Sequence, residues 1–283
     1  MKGLGGAFVG FLAAAGGLVA LGLWRGVTWP VVAGALVGGV GLAWLASRWR
    51  ARRAILDAPF PETWRRILHE RIRFYRTLDG AGRDRFERNL RRIYADYRIE
   101  AVRGVELNDE LVVLALAGGA VLIQHMPGFP LPAVRDVILY PDAFDDDYDV
   151  ESDATIAGMV HRQGPILFSA KSLRRGWKRD QDGHNVSIHE WAHVLDWADG
   201  FADGVPGLGA DTDAWDDLIK DALLKVRKRK SRLRDYGGTN HAELFAVAVE
   251  AFYEKPAILQ KSHRELYEAL AEYFRYDPLD RGD

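Results

Sequence analysis

The sequence contains no cysteine, and this absence limits the chemistry of any functional site. Disulfides, thiol nucleophiles and cysteine metal ligands are all excluded. Any zinc site in this chain must therefore be built from histidine and carboxylate ligands. A chain without disulfides also fits a reducing compartment.

A large charge of one sign is missing as well. The 38 lysines and arginines nearly balance the 40 aspartates and glutamates, which leaves a net charge of -2. The whole molecule therefore shows no attraction for a polyanion, and we expect no direct nucleic-acid binding. With 283 residues, 48% of them hydrophobic, the chain is long enough for one large domain or two modest ones.

The amino-terminal part holds two long runs without a charged residue, residues 3–24 and 26–47. Roughly 20 apolar residues in a helix span the hydrocarbon core, so each run is long enough to cross a bilayer. Glycines four apart, such as Gly34 and Gly38, provide flat faces for close helix contact. We predict that residues 1–53 form a transmembrane helical hairpin, with residues 3–47 in contact with the lipid bilayer.

Four arginines follow the second run, at positions 48, 50, 52 and 53. Basic residues beside a membrane span favour the cytoplasmic side. We therefore expect the hairpin in the inner (cytoplasmic) membrane and the remaining domain, residues 54–283, in the cytoplasm. The alternative is a cleaved signal peptide, although the first run is long for one.

The rest of the chain mixes helical and strand patterns after a predicted linker at residues 55–61. Residues 111–123 form an apolar run that is too short to span a membrane, so we expect a buried helix. Residues 144–149, FDDDYD, are expected to be a solvated acidic loop, because the spacing of a calcium-binding EF-hand is missing. The basic stretch 225–234 reads as a solvated helix face, with lipid headgroups or nucleic acid as alternative contacts. Further helices are predicted at 62–76, 83–97, 186–197, 213–234, 241–254 and 258–274, and short strands at 137–140 and 166–169.

The stretch SIHEWAHVLDWADG carries two histidines four residues apart, His189 and His193, with Glu190 after the first. On a helix these two positions share a face, so both imidazoles can bind one ion. Glu190 lies toward the open side of such a metal, where it can take a proton from bound water. The alternative is a partly buried helix whose two histidines make ordinary hydrogen bonds.

A catalytic zinc keeps three protein ligands and one open position, so a third ligand must come from elsewhere. The later segment NHAELFAVAVEAFYEKP offers Glu243 and Glu250, which lie on nearly the same helix face. Each is an acid among apolar neighbours, where an unpaired charge would be costly. His241 is a weaker candidate because it stands at the helix start. The residues alone rank the two glutamates almost equally.

Several motifs in one order resemble the Mlc titration factor A family of zinc-dependent peptidases. HEWAHVLD is followed by YGGTNHAELFAVAVEAFYEKP, and VELNDEL, VILYPDAF and QGPILFSAKS match upstream, so that residues 60–278 are covered. The resemblance implies an α+β, zincin-like domain of the gluzincin type. It also implies a small sheet over the HExxH helix, with the Glu243 helix packed against it.

The resemblance also implies roles for individual residues. His189, His193 and Glu243 would be the metal ligands of one Zn2+ per chain, and Glu190 would be the catalytic base. Tyr236, seven residues before Glu243, would help to stabilise the oxyanion. The alternative for this tyrosine is a loop residue without a catalytic role.

Two further acids could support the site. Asp196 completes HExxHxxD and lies on the histidine face, where it could bond a ligand histidine or serve a purely structural role. Glu250 could support the site from behind. Trp191 and Trp197 are expected in the core.

These features predict a zinc-dependent metallopeptidase that hydrolyses peptide bonds of peptide or protein substrates, with aminopeptidase-like action on short peptides as one mode. Glu190 would activate a zinc-bound water. The resemblance supports an alternative as well, a membrane-tethered regulatory protein that binds a transcriptional regulator, with the zinc mainly structural. The best-known members of the family are soluble, so the apolar hairpin is a departure that concerns partners and substrate more than chemistry.

Overall fold

A computed structural model describes Gly10, residues 13–21, Trp24, Gly26, and residues 28–131, 136–143, 158–160, 164–207 and 212–280. The chain forms two compact units, residues 1–59 and 60–283. The predicted acidic loop at residues 144–149 lies outside the described residues.

The first unit contains one long helix, α1 (Thr28–Asp57), and a helical stretch at residues 13–21. Among the described residues, α1 alone is long and apolar enough to cross a membrane. A side chain at Gly34 would collide with the Ala15 carbonyl and with Val19, so glycine allows the close approach of the two helical stretches. Much of the first apolar run lies outside the described residues, and the transmembrane hairpin stays a prediction. The expected linker at 55–61 is shorter than predicted, because α1 continues to Asp57.

The second unit is α+β, with helices around a small sheet. The helices are α2 (Glu62–Arg71), α3 (Arg73–Thr77), α4 (Gly80–Asp96), α5 (Asp109–Leu122), α6 (Ala170–Lys178), α7 (Val186–Asp196), α8 (Thr212–Arg227), α9 (His241–Glu254), α10 (Pro256–Ser262) and α11 (Arg264–Phe274). Two 3-10 turns, Trp197–Asp199 and Asp235–Gly238, follow α7 and precede α9. The buried helix predicted at 111–123 is confirmed as α5.

The sheet has four strands in the order β1-β2-β4-β3. They are β1 (Arg98–Ala101), β2 (Asp136–Tyr140), β3 (Gly158–Val160) and β4 (Ile166–Ser169). β2 pairs in parallel with β1 and β4, whereas β3 pairs antiparallel with β4 and stands at the end of the sheet. The two predicted strands correspond to β2 and β4, which are confirmed.

The core is organised by the contact between α5 and α7. A side chain at Gly118 of α5 would meet the backbone of Ser187, and one at Gly119 would meet the Trp191 ring. The Ser187 hydroxyl accepts from the Gly118 amide and donates to the Ala115 carbonyl, at 3.1 Å each. The Trp191 indole donates to the same carbonyl at 2.8 Å. Glycine and these bonds hold α7, which carries the two histidines, rigidly against a buried helix.

The predicted helix 213–234 is confirmed as far as Arg227 and is wrong beyond it. α8 ends at Arg227, and Arg229 takes a left-handed conformation with φ 54. The Arg229 amide bonds the Val226 carbonyl and the Lys230 amide bonds the Lys225 carbonyl, both at 2.8 Å. This pair of bonds is the usual left-handed helix stop, here with arginine where glycine is common. The basic stretch therefore continues as a loop.

Two other predicted helices are interrupted. Residues 62–76 break at Ile72, which is extended, and residues 258–274 break at His263, which has φ -145 and ψ 65 and is likewise not helical. Each break buries its residue, since Ile72 is fully buried and His263 is 4% exposed. Burial of the side chain therefore outweighs helix continuity at both positions.

Candidate metal centre

The HExxH helix begins where Asn185 caps it, as the sequence predicts. The Asn185 side chain accepts from the Ser187 and Ile188 amides at 3.1 and 3.3 Å, which satisfies two otherwise unpaired donors. The helix ends through the 3-10 turn to Gly200, which has φ 104. Every residue of α7 is buried, so both histidines point into the protein rather than to solvent.

A second cap fixes the helix that supplies the carboxylate. Asn240 accepts from the Glu243 amide at 2.9 Å, which orders the first turn of α9. Glu243 therefore stands near the start of α9, and α9 packs against α7. Glu250, almost two turns later, is 1% exposed.

Three side-chain atoms converge on one point. The Nε2 atoms of His189 and His193 lie 3.2 Å apart. Glu243 Oε2 lies 3.0 Å from His189 Nε2 and 3.5 Å from His193 Nε2. A tetrahedral ion with bonds of roughly 2.0–2.1 Å keeps its ligand atoms about 3.3–3.4 Å apart. The structure thus brings together the three predicted ligands at the spacing that a tetrahedral metal needs, and this donor set fits a divalent ion.

Glu250 occupies a different position, behind the first histidine. Its Oε1 lies 2.7 Å from His189 Nδ1, the ring nitrogen that faces away from Glu243. It also binds the Arg234 guanidinium, and its Oε2 accepts from the Asn185 amide at 2.5 Å. Both Glu250 oxygens are therefore engaged away from the three converging atoms. The two glutamates thus take different positions: Glu243 lies against the Nε2 atoms of both histidines, whereas Glu250 lies against Nδ1 of His189.

The charges around the histidines favour a cation. Burial lowers the pKa of His189, but the Glu250 and Glu243 carboxylates outweigh it and raise that pKa above its usual range. Burial raises the pKa of Glu243, but hydrogen bonds from His189 and His193 depress it below its ordinary value. The carboxylates thus stabilise positive charge on His189, whereas burial lowers the pKa of His193 and favours its neutral form, the form that binds a metal.

Glu190 is 3% exposed and lies beside the end strand of the sheet. A side chain at Gly158 of β3 would come within 2.5 Å of Glu190 Oε1, so glycine leaves room for the carboxylate. Burial raises the pKa of Glu190 to about 8, and the carboxylates of Glu243 and Glu250 act in the same direction. A carboxylate with a raised pKa is suited to accept and return a proton near neutral pH.

Tyr236 stands at the solvent side of the centre. It is 53% exposed, and its ring centroid lies 5.9 Å from that of His189. Burial raises the pKa of Tyr236 to about 12, and the nearby carboxylates of Glu243 and Glu190 act in the same direction. The phenol is therefore protonated at neutral pH and able to donate a hydrogen bond.

Asp196, the last residue of α7, binds the loop that follows, and within the part of the chain that the structure describes it makes no hydrogen bond to His189 or His193. Its carboxylate accepts from the Gly204 amide at 3.0 and 3.2 Å. A side chain at Gly204, which has φ 80, would collide with the His241 carbonyl, so this loop lies against the start of α9. These contacts favour the structural alternative for Asp196. His241 is not among the three converging atoms, and of the two tryptophans Trp191 is fully buried.

Sequence reasoning missed two supports of the site. Glu254 accepts from the Gly183 and His184 amides at 2.9 and 3.2 Å and from the Asn185 side chain at 3.1 Å. Arg234, two residues before Tyr236, binds Glu250. A four-residue spacing of acids on α9, Glu250 and Glu254, was the available signal, since two buried carboxylates on one apolar helix need partners.

Comparison with known families finds one match over most of the chain. The family described as glucose-regulated metallo-peptidase M90 matches residues 46–275. The match includes α7, α9 and the strands of the sheet. Its description implies a bound metal ion, in agreement with the donor set at His189, His193 and Glu243.

Several curated proteins are similar over comparable lengths. An uncharacterized protein of Synechocystis sp., slr2042, is 32% identical over 247 residues, which cover 82% of this chain and 90% of that protein. Mlc titration factor A of Yersinia enterocolitica is 26% identical over 260 residues, covering 85% of this chain and 93% of its own. Mlc titration factor A of Edwardsiella ictaluri is 28% identical over 168 residues, covering 53% and 64%.

The two glutamates should differ in their effect on metal content. We expect Glu243→Ala to lose most of the bound metal, because it removes a donor atom. Glu250→Gln should retain metal but bind it about 10–100-fold more weakly, because only the orientation of His189 is disturbed. Metal content by mass spectrometry, with affinity from chelator competition, measures both. Equal or reversed losses would move the third ligand to Glu250.

Proposed function

The chain belongs to the glucose-regulated metallo-peptidase M90 family, and from this membership we propose that it is a zinc-dependent metallopeptidase that hydrolyses peptide bonds. The observation that carries the proposal is the convergence of His189 Nε2, His193 Nε2 and Glu243 Oε2 at 3.0–3.5 Å. Glu190 and Tyr236 flank this position, which supplies an acid-base group and a hydrogen-bond donor.

Zinc is the metal that the donor set favours. Two imidazoles and one carboxylate with an open position are typical of catalytic zinc in peptidases. When bound, zinc supplies acidification of the attacking water and polarisation of the scissile carbonyl. Cysteine is absent from the chain, so no thiolate competes for the metal.

Glu190 would move the proton during hydrolysis. Its carboxylate takes a proton from the attacking water and then gives it to the leaving amine. Burial raises the pKa of Glu190 toward neutral pH, and such a carboxylate can take up a proton and return it during the reaction. Gly158 keeps the carboxylate in place by leaving its side free of a Cβ atom.

Tyr236 would donate its phenolic hydrogen to the oxyanion of the tetrahedral intermediate. β3 stands at the end of the sheet and reaches Glu190 through Gly158, so a substrate backbone could add to its edge as a further strand. Such pairing would hold the peptide extended across the centre. The aminopeptidase-like mode of the sequence prediction has no separate support from these contacts.

The amino-terminal helix would tether this domain to the inner membrane with the catalytic domain in the cytoplasm. The length of α1 and the four arginines near its carboxyl-terminal end support the proposal. Release of the full chain from membranes by alkaline carbonate would refute an integral anchor.

A second candidate function follows from the name of two relatives, Mlc titration factor A. In this alternative the chain binds a transcriptional regulator and the metal mainly maintains shape. A buried acid-base residue beside an open coordination position favours hydrolysis, because a structural site needs neither.

Replacement of Glu190 by the isosteric glutamine separates the two candidates. We expect Glu190→Gln to keep its zinc and to lose about 10²–10⁴-fold in kcat, because the amide cannot accept the proton. Metal content and cleavage of fluorogenic peptides by the full chain in neutral detergent provide the readout. Normal turnover in this variant would refute the assigned base, and a wild-type chain that holds zinc without turnover would favour the regulatory candidate.

Tyr236→Phe tests the oxyanion role. We expect kcat to fall about 10²–10³-fold with little change in KM, because the hydroxyl acts on the transition state rather than on bound substrate. Tyr94→Phe, on the half-exposed Tyr94 of α4, is the matched control and should retain the wild-type rate. If both variants cleave at the wild-type rate, Tyr236 is a loop residue without a catalytic role.

A further inference from the structure

Four cations stand together on the loop that follows α8. Lys228, Arg229, Lys230 and Arg232 are all exposed, and residues 228–232 are named the basic loop from here on. Within the described parts of the chain, none of the four has a carboxylate within salt-bridge distance, whereas Lys220 and Lys225 on α8 pair with Asp216 and Asp221. Their charge is therefore available to a ligand.

The basic loop is held in a defined conformation. At its start, the left-handed stop at Arg229 fixes the direction of the chain. In its middle, the Ser231 hydroxyl lies 2.7 Å from His263 Nε2. Just beyond it, Leu233 is buried. The cations are thus presented on an ordered backbone, which lowers the entropy that binding would cost.

The chain runs from the basic loop straight into the metal centre. Arg234 binds Glu250, and the ring centroid of Tyr236 lies 5.9 Å from that of His189. Tyr236 is the fourth residue after Arg232, so their Cα atoms lie within about 14 Å of each other. A ligand on the basic loop is therefore a few residues of extended peptide away from the reacting bond.

A groove of about 530 Å³ is lined by residues that neighbour both places in the chain. Asn240, His241 and Ala242 directly precede Glu243, and Arg227 directly precedes the basic loop. Arg227 donates to the Gly238 and Thr239 carbonyls at 2.8 and 3.0 Å, which holds this wall in place. Its remaining lining residues are Ala202, Asp203 and Leu223.

We propose that the basic loop binds an acidic segment of the peptide substrate, located about two to five residues to one side of the scissile bond. The proposal rests on the proposed peptidase function and names the substrate class of that site. Four exposed cations outnumber the exposed carboxylates of Asp203 and Asp235, so aspartate or glutamate side chains would be favoured. Because the basic loop continues within a few residues to Arg234 and Tyr236 at the candidate centre, its position favours a peptide substrate over a lipid surface or a duplex.

The test compares peptides of one sequence that carry either glutamate or serine at the positions two to five residues from the cleaved bond, on each side in turn. We expect kcat/KM to be about tenfold higher for glutamate on one side only, the sum of two or three exposed charge pairs. The preference should shrink as salt is raised. In the triple variant Lys228→Glu/Arg229→Glu/Lys230→Glu, kcat/KM for the glutamate peptide divided by kcat/KM for the serine peptide should fall to one or below. Its zinc content should be unchanged.

The matched control is Arg85→Glu/Arg88→Glu, two exposed arginines on α4, and it should keep the wild-type ratio. Binding of the glutamate peptide to Glu190→Gln, followed by fluorescence anisotropy, gives a readout that needs no turnover, so failure of the peptidase function is distinguished from failure of this proposal. A ratio near one in the wild type with no salt-dependent peptide binding would overturn it. Equal preference on both sides would also overturn it, as would anisotropy changes with anionic lipid vesicles or DNA but not with the peptide.

Discussion

The imidazole of His189 is held between two carboxylates, and the rest of the site depends on this arrangement. Glu250 lies 2.7 Å from Nδ1 on one side and Glu243 lies 3.0 Å from Nε2 on the other. Both acids come from α9, so the packing of α9 on α7 determines where the ring points. Because His193 is one turn further along α7, the same packing places its Nε2 beside the first.

Burial of several charged groups carries a large desolvation free energy, which hydrogen bonds and an ion pair around the site offset. Glu250 accepts a hydrogen bond from the Asn185 amide and pairs with the Arg234 guanidinium. Glu254 accepts hydrogen bonds from the amides of Gly183 and His184, just before α7. These two acids of α9 therefore anchor the segment directly before the HExxH helix through hydrogen bonds. Their interactions lock the two helices in register, which pre-organises the centre instead of leaving it to form around the metal.

Local patterns in the sequence predict much of this site. The i,i+4 spacing of the histidines and the caps at Asn185 and Asn240 each depend on residues within one turn. The choice between Glu243 and Glu250 was open to helical periodicity, because both lie on one face; only the contact of α9 with α7 decides which acid faces the metal. The sequence also predicts that α8 continues to residue 234. The helix stops earlier, at a left-handed arginine, Arg229, where the usual sequence signal would be glycine or asparagine. The breaks at Ile72 and His263 depend on tertiary burial, which no local pattern reveals.

The most direct test of the central claim is X-ray absorption spectroscopy of the zinc-loaded full chain. The account predicts a four-coordinate ion with only nitrogen and oxygen ligands at roughly 2.0–2.1 Å and outer-shell scattering from two imidazoles. A spectrum without imidazole scattering, or with six oxygen ligands, would contradict the convergence of His189, His193 and Glu243 on one metal.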